Sequence, residues 1–200
     1  MINLASKVIL TDVDECLFDW AQPFEAWVRE SYPQHDPSTA LRDHWHVEAW
    51  LGCDIEHSRE LIRQFNGDEQ IWPYFEPLPG VEEVIHRLHN EGWKFVAITA
   101  CDTDEATWVG RWHNLNEVFG RGVFDTLHCV GLASSKREAL ARYRPTIWVE
   151  DKMKHARDGA ELGHTSFLID YRHNQMEDHE SVRRVKDWEE IYQAIKEMEA

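Results

Sequence analysis

The chain has 200 residues, 42% of them hydrophobic and 29% charged, which suits one soluble globular domain or one domain carrying a large insertion. Its 37 acidic against 21 basic residues give a formal net charge of −16, a surface that repels the nucleic-acid backbone and argues against a nucleic-acid polymer as partner. A small anion remains admissible, because a bound cation and a local lysine reverse the field inside one pocket.

The four cysteines (Cys16, Cys53, Cys101, Cys129) form no CxxC pair, so free thiols in a reducing compartment are expected rather than a zinc site or a disulfide scaffold. Only a short apolar stretch precedes Asp12, and no apolar run approaches the roughly 20 residues that span a bilayer. The expectation is a cytoplasmic protein with no signal peptide and no membrane partner. Ten tryptophans call for polar partners or a ligand.

Five short apolar runs read as strands covered on both faces. In chain order they are Val8-Ile9-Leu10, Phe95-Val96-Ala97-Ile98, Leu127-His128-Cys129-Val130, Ile147-Trp148-Val149 and Ser166-Phe167-Leu168-Ile169. Between them, helical spacing marks Val81 to Leu88 before Gly92, Asp104 to Phe119 before Gly120, Lys136 to Tyr143, Lys152 to Leu162 and Asp187 to Met198. Strands alternating with helices predict a parallel α/β sheet of at least five strands. One segment breaks the alternation. The roughly sixty residues between the first strand and Pro79-Gly80 carry helical patterns (Phe24–Ser31, Ser38–Leu51, Ser58–Phe65) and no convincing strand. They are expected to form a helical insertion above the carboxyl edge of the sheet, packed against the core.

Open parallel sheets bind ligands at the carboxyl ends of their strands. Asp12 and Asp14 follow the first strand, Thr99-Ala100-Cys101 the second, Lys136 lies just beyond the third, and Glu150-Asp151 follow the fourth. Clustered carboxylates repel one another unless a cation sits among them, and few hard oxygen ligands favour Mg²⁺. A carboxylate can act as a nucleophile towards phosphorus, a second can shuttle the leaving-group proton, and a lysine can neutralise phosphoryl oxygens. Each residue also has a plain reading: a polar turn for Asp12 and Asp14, a strand-end hydroxyl for Thr99, a surface lysine for Lys136, helix-capping acids for Glu150 and Asp151.

The runs VILTDVDECL, FVAIT, Lys136 at a helix start and IWVED resemble, in order and spacing, the four motifs of haloacid dehalogenase-type phosphatases, over about residues 8–169. The resemblance implies a three-layer α/β/α Rossmann-type core (residues 1–17 and 78–200) with a helical cap (18–77) inserted after the first strand. It implies Asp12 as nucleophile and metal ligand, and Asp14 as general acid/base, with its backbone carbonyl on the metal. It further implies Thr99, Ala100 (through its N–H) and Lys136 at the phosphate, and Asp151 with Glu150 completing a Mg²⁺ site.

Within that family, DVDECLFDWAQPFEAWV and FEPLPGVEEVIHRLHNEGWKFVAITAC resemble 5′-deoxyribonucleotidases. The cap aromatics Phe18, Trp20, Phe24, Trp45, Trp50, Trp72, Tyr74 and Phe75 suit a nucleobase, with Phe18 and Trp20 favoured as substrate contacts by their closeness to Asp14. Each is also a candidate for the cap's own core. His44 and His46, two apart, read as surface or packing residues.

The expected substrate is a small phosphate monoester, a 5′-(deoxy)nucleoside monophosphate first, with a sugar or organic-acid phosphate as the alternative. A non-catalytic binding protein of the same fold is the rival from another class, and a signalling receiver domain fits poorly because Asp12 lies in a DxD after the first strand. The sequence admits a homodimer. Two departures from the motifs are evident. Glu15-Cys16 stands where Gly followed by Thr or Val is commoner, placing an acid beside the phosphate site, and Ala100-Cys101 replaces a frequent Ser-Pro.

Overall fold

The computed structural model describes residues 7–35, 40–43, 46–68 and 75–200. Six parallel strands form one sheet, β1 (Val8–Thr11), β2 (Lys94–Ala100), β3 (Phe124–Val130), β4 (Ile147–Glu150), β5 (Thr165–Ile169) and β6 (Val182–Val185), in the spatial order β3-β2-β1-β4-β5-β6. The five expected strands are present. The sixth, Val-Arg-Arg-Val, is the edge strand beside β5, and its two central arginines leave it no apolar run.

Side chains alternate across the sheet. Ile9, Phe95, Ala97, Ile147, Val149, Phe167 and Ile169 face one layer. That layer holds α4 (Val81–Asn90), α5 (Glu105–Phe119) and α8 (Trp188–Glu199). Leu10, Val96, Ile98 and Trp148 face the other, with Ala139 and Leu140 of α6 (Arg137–Leu140), while α7 (Met153–Glu161) packs Met153 and Ala156 on Leu168. α6 is shorter than its expected span: the chain leaves the helix through a turn from Tyr143 N–H to Leu140 O ahead of Pro145, a residue unable to extend it. Gly159 of α7 sits so close to β4 that an added Cβ would meet Trp148 Cδ1 at 2.4 Å and Ser166 Oγ at 2.8 Å.

Between β1 and α4 the described residues hold helices and no named strand: α1 (Ala21–Ser31), α2 (Val47–Leu51) and α3 (Ile55–Asn66). Residues 36–39 and 44–45 lie outside the description, and with them Ser38, Trp45 and His44; within the expected Ser38–Leu51 helix the described residues form a short 3-10 turn, Leu41–Asp43, followed by α2. Trp72 and Tyr74 also lie outside it. Phe24, Val28, Trp50, Leu61 and Phe65 of this insertion belong to the same continuous apolar cluster as the sheet face, so the insertion packs against the core as expected.

Many of the tryptophans meet polar partners through their indole N–H. Trp188 donates to Cys16 O at 2.7 Å, Trp148 to His155 O at 3.1 Å and Trp108 to Leu127 O at 3.2 Å. Among the described residues no helix is long and apolar enough to cross a membrane.

Candidate active site

The strand order reverses between β1 and β4, and ligands of open α/β sheets gather outside such a switch point. Asp12 stands there, directly after β1. Its N–H donates to Val149 O of β4 at 2.9 Å, while Val13 N–H donates to its Oδ1 at 2.8 Å and Lys136 Nζ lies 2.6 Å from its Oδ2. The residue is 5% exposed. Burial, and next the negative charge of Glu150, push its carboxyl up from an ordinary 3.8 to about 6 against the pull of Lys136.

Lys136, immediately before α6, is buried between two acids, with Nζ 2.8 Å from Glu150 Oε2. Burial alone would weaken its hold on the proton; the charges of Asp12 and Glu150 outweigh it and keep the ammonium above its ordinary range. Glu150, expected at the metal, makes its contacts here to Lys136 and to the backbone entering α7. Its Oε2 accepts from Lys136, and its Oε1 accepts from the N–H groups of Asp151 and Lys152 at 3.1 Å each. Both oxygens are engaged in anchoring the lysine and the chain entering α7.

A cavity of about 230 Å³ opens above these groups. Asp12, Asp14, Thr99, Ala100 and Lys136 line its floor, and Trp20, Ser58, Arg59 and Asn66 are among its walls from the insertion. Thr99 is buried at the end of β2, and its Oγ1 has no hydrogen-bond partner among the described residues. A hydroxyl left unsatisfied on a cavity floor suits an acceptor ligand.

Five expected site residues thus meet on one floor. Asp151 joins them from below: ligand atoms of Asp12, Cys16 and Asp151 all lie within 4.8 Å of one another. Asp151 is buried; its Oδ2 lies 3.3 Å from His173 Nε2, a contact that draws the imidazole towards its protonated form, while Oδ1 has no hydrogen-bond partner among the described residues. A buried carboxylate with one oxygen open beside a second carboxylate fits a divalent cation. Cys16 is the unexpected member; burial raises its thiol well above the ordinary value, so it meets the site uncharged.

Phe18 does not reach the cavity. It is fully buried, with its ring 5.5 Å from that of Phe119 and its backbone bridging Asp14 and Pro77. Trp20 does line the cavity, but its ring stacks on Phe24 at 4.6 Å and its Nε1 donates to Asn66 Oδ1 at 2.9 Å. Phe24, Trp50, Phe65 and Phe75 are core residues, the plain reading that sequence reasoning had set beside a stacking role.

Glu15 is also reassigned. Its φ of +59° occupies the left-handed region where glycine is favoured, and its Oε1 accepts from Trp20 N–H at 3.1 Å and Ala21 N–H at 2.8 Å. The carboxylate caps the start of α1 rather than opposing a bound phosphate.

Sequence reasoning missed Arg111 and Asn66. Arg111 of α5 is 1% exposed; its Nη2 donates to Asp14 Oδ2 at 3.0 Å, and its Nη1 lies 2.7 Å from Oδ1 as an ion-pair contact. Arg111 lies on the buried stripe of α5 with Thr107, Asn114, Leu115 and Phe119, a mixed polar and apolar face on which an inward arginine does not stand out from the sequence.

No protein-family model matches the sequence. A stretch of 160 residues is 24% identical to an uncharacterized 32.4 kDa protein in the Gp30-rIII intergenic region of Enterobacteria phage T4, covering 77% of this chain and 57% of that protein. The chain therefore spans less than two thirds of this relative's length.

Solved structures resemble it over nearly its whole length. They include a Had-superfamily hydrolase from Ehrlichia chaffeensis (12% identity, 97% of this chain and 98% of that one, TM-score 0.61). The L-2-haloacid dehalogenase of Xanthobacter autotrophicus is 12% identical over 99% of this chain and 100% of that one, with a TM-score of 0.65. The D,D-heptose 1,7-bisphosphate phosphatase of B. bronchiseptica, complexed with magnesium and phosphate, is 14% identical over 96% and 99%, with a TM-score of 0.58. Sheet order, switch point and these likenesses together give the chain the fold of the haloacid dehalogenase superfamily of hydrolases.

Proposed function

We propose that the protein is a phosphomonoester hydrolase that works through an aspartyl-phosphate on Asp12, with a sugar or organic-acid phosphate as its substrate. The observation that carries the reading is the cavity floor: Asp12, Asp14, Thr99 and Lys136 face one space, with Asp151 open to a cation beneath. The fold alone does not choose the reaction, since it also serves a dehalogenase. Lys136 and the unpartnered Thr99 hydroxyl favour phosphate, as does the phosphate held by the heptose bisphosphatase of the same fold.

Asp12 attacks phosphorus, and the bond to the ester oxygen breaks as Asp14 delivers a proton to it. Asp14 then takes a proton from the water that attacks the acyl-phosphate, releasing phosphate and restoring Asp12. Thr99 and Lys136 hold phosphoryl oxygens during both displacements. A divalent cation held by Asp12 and Asp151, with the Asp14 carbonyl, would keep Asp12 ionised and neutralise phosphoryl charge; magnesium is the ion bound by the heptose bisphosphatase.

The nucleoside monophosphate reading rested on the resemblance of two sequence stretches to 5′-deoxyribonucleotidases and on the cap aromatics, and those aromatics of the insertion that are described lie mainly in its core. Trp20 alone among the aromatics lines the cavity in the described residues, with one face already stacked. The remaining wall mixes apolar side chains (Val47, Ile55, Ile62, Leu132) with polar ones (His46, Ser58, Arg59), and Arg59 supplies a cation suited to a second anionic group. In this reading residues 18–77 are the cap that selects the substrate and the rest is the catalytic core.

The test is phosphate release from sugar phosphates, organic-acid phosphates and nucleoside monophosphates, with Mg²⁺ and with EDTA. The expected result is magnesium-dependent release, with kcat/KM for a sugar or organic-acid ester above that for every nucleotide. A nucleotide at the head of the ranking would overturn the substrate reading, and no release from any ester would overturn the reaction.

A further inference from the structure

We infer that Arg111 is the positioning residue of Asp14, and that Asn66 ties this pair to the inserted helices. The inference rests on the phosphatase reading above.

One charge-assisted hydrogen bond, Arg111 Nη2 to Asp14 Oδ2 at 3.0 Å, and a second ion-pair contact, Nη1 to Oδ1 at 2.7 Å, hold the Asp14 carboxylate against the guanidinium. Nothing about this pair is required by the fold's core. An arginine in the inward stripe of α5 must be desolvated, and an aliphatic side chain would pack there without that cost. The guanidinium lies 4.8 Å over the ring of Phe75, which covers one of its faces.

Arg111 Nη2 also donates to Asn66 Oδ1 at 3.1 Å. Asn66 is the last residue of α3, and it is buried. Its Oδ1 accepts from Trp20 Nε1 at 2.9 Å, and its Nδ2 donates to Cys101 O at 3.2 Å in the loop after β2. One amide therefore joins the start of α1, the end of α3, the loop beyond Thr99 and the arginine that holds Asp14. A shift of α3 relative to the sheet cannot leave the Arg111–Asn66 contact unchanged. The placement of Asp14 is thereby made to depend on the placement of the wall that contacts the rest of the substrate.

Positioning of the proton donor has a signature that a structural role lacks. An aryl ester such as p-nitrophenyl phosphate loses its leaving group without protonation, whereas an alkyl ester such as glycerol phosphate needs the proton. In kcat/KM, which reports the steps up to leaving-group departure, Arg111→Gln is expected to lower the alkyl ester by about tenfold or more, and the aryl ester by less than about threefold. Adding Arg111→Gln to Asp14→Asn is expected to cause little further loss on the alkyl ester, because the two act as one unit. Arg111→Lys keeps the charge but replaces the fork with a single ammonium, so it should fall between, and it carries the test if the glutamine variant does not fold.

Equal losses on both esters, or full additivity with Asp14→Asn, would overturn the inference while leaving the phosphatase reading intact. An inactive wild type on both esters would overturn the two together.

Discussion

The burial of Asp12 has a consequence for stability that can be measured without any substrate. Its carboxyl is pushed from 3.8 to about 6, first by burial and then by Glu150. A group whose folded-state pKa is raised favours folding while it carries its proton and opposes folding once ionised. That contribution is present below pH 3.8 and is lost as the pH rises through about 6. With one pKa unit worth about 1.4 kcal/mol, the ionised carboxylate costs the metal-free protein about 3 kcal/mol at neutral pH. Asp12→Asn keeps the shape and removes the charge, so in EDTA at pH 7.5 it should be up to about 3 kcal/mol more stable than wild type, a rise in Tm of about 6–12 °C for a chain of this size. At pH 4 the difference should shrink towards zero. Thermal unfolding followed by circular dichroism across this range is the assay. A variant equal to or less stable than wild type at pH 7.5 would refute the reasoning, since it would mean that Lys136 more than compensates the buried charge.

Other perturbations follow from contacts already described. Mg²⁺ should raise the Tm of wild type by mass action and leave that of Asp151→Asn unmoved, if the open oxygen of Asp151 holds the cation. Gly159→Ala drives a Cβ into Trp148 and Ser166 and should cost about 1–3 kcal/mol, read as a lower midpoint in urea with an unchanged slope. Glu15→Ala removes the acceptor of two backbone N–H groups at the start of α1 and should cost about 1–3 kcal/mol by the same assay, more than Glu15→Gln, which keeps an acceptor there.

The cavity floor was legible in the sequence because it depends on local order: acids, a threonine and a lysine placed just after short apolar runs must come to one edge once those runs pair in parallel. What escaped depends on contacts far apart along the chain. Arg111 reaches Asp14 across 97 positions and Asn66 across 45, and neither spacing leaves a periodic trace. Glu150 looked like a ligand because it adjoins Asp151, yet alternation along β4 and the turn beyond it send the two side chains to different partners. The aromatic residues of the insertion misled for a compositional reason. A small helical unit must bury large side chains to hold together, and Phe24 and Phe65, with rings 5.2 Å apart, serve that need before any ligand's. The edge strand β6 was missed because Arg183 and Arg184 interrupt its apolar pattern.

The most direct test of the central claim is chemical trapping of the acyl-phosphate. Enzyme turning over p-nitrophenyl phosphate in Mg²⁺ is quenched in acid, reduced with borohydride and digested, and each aspartate is then located by mass spectrometry. The account predicts homoserine at position 12, absent without substrate and absent in Asp12→Asn. Steady turnover with no reduced residue at position 12, or with the reduced residue at position 14, would contradict it.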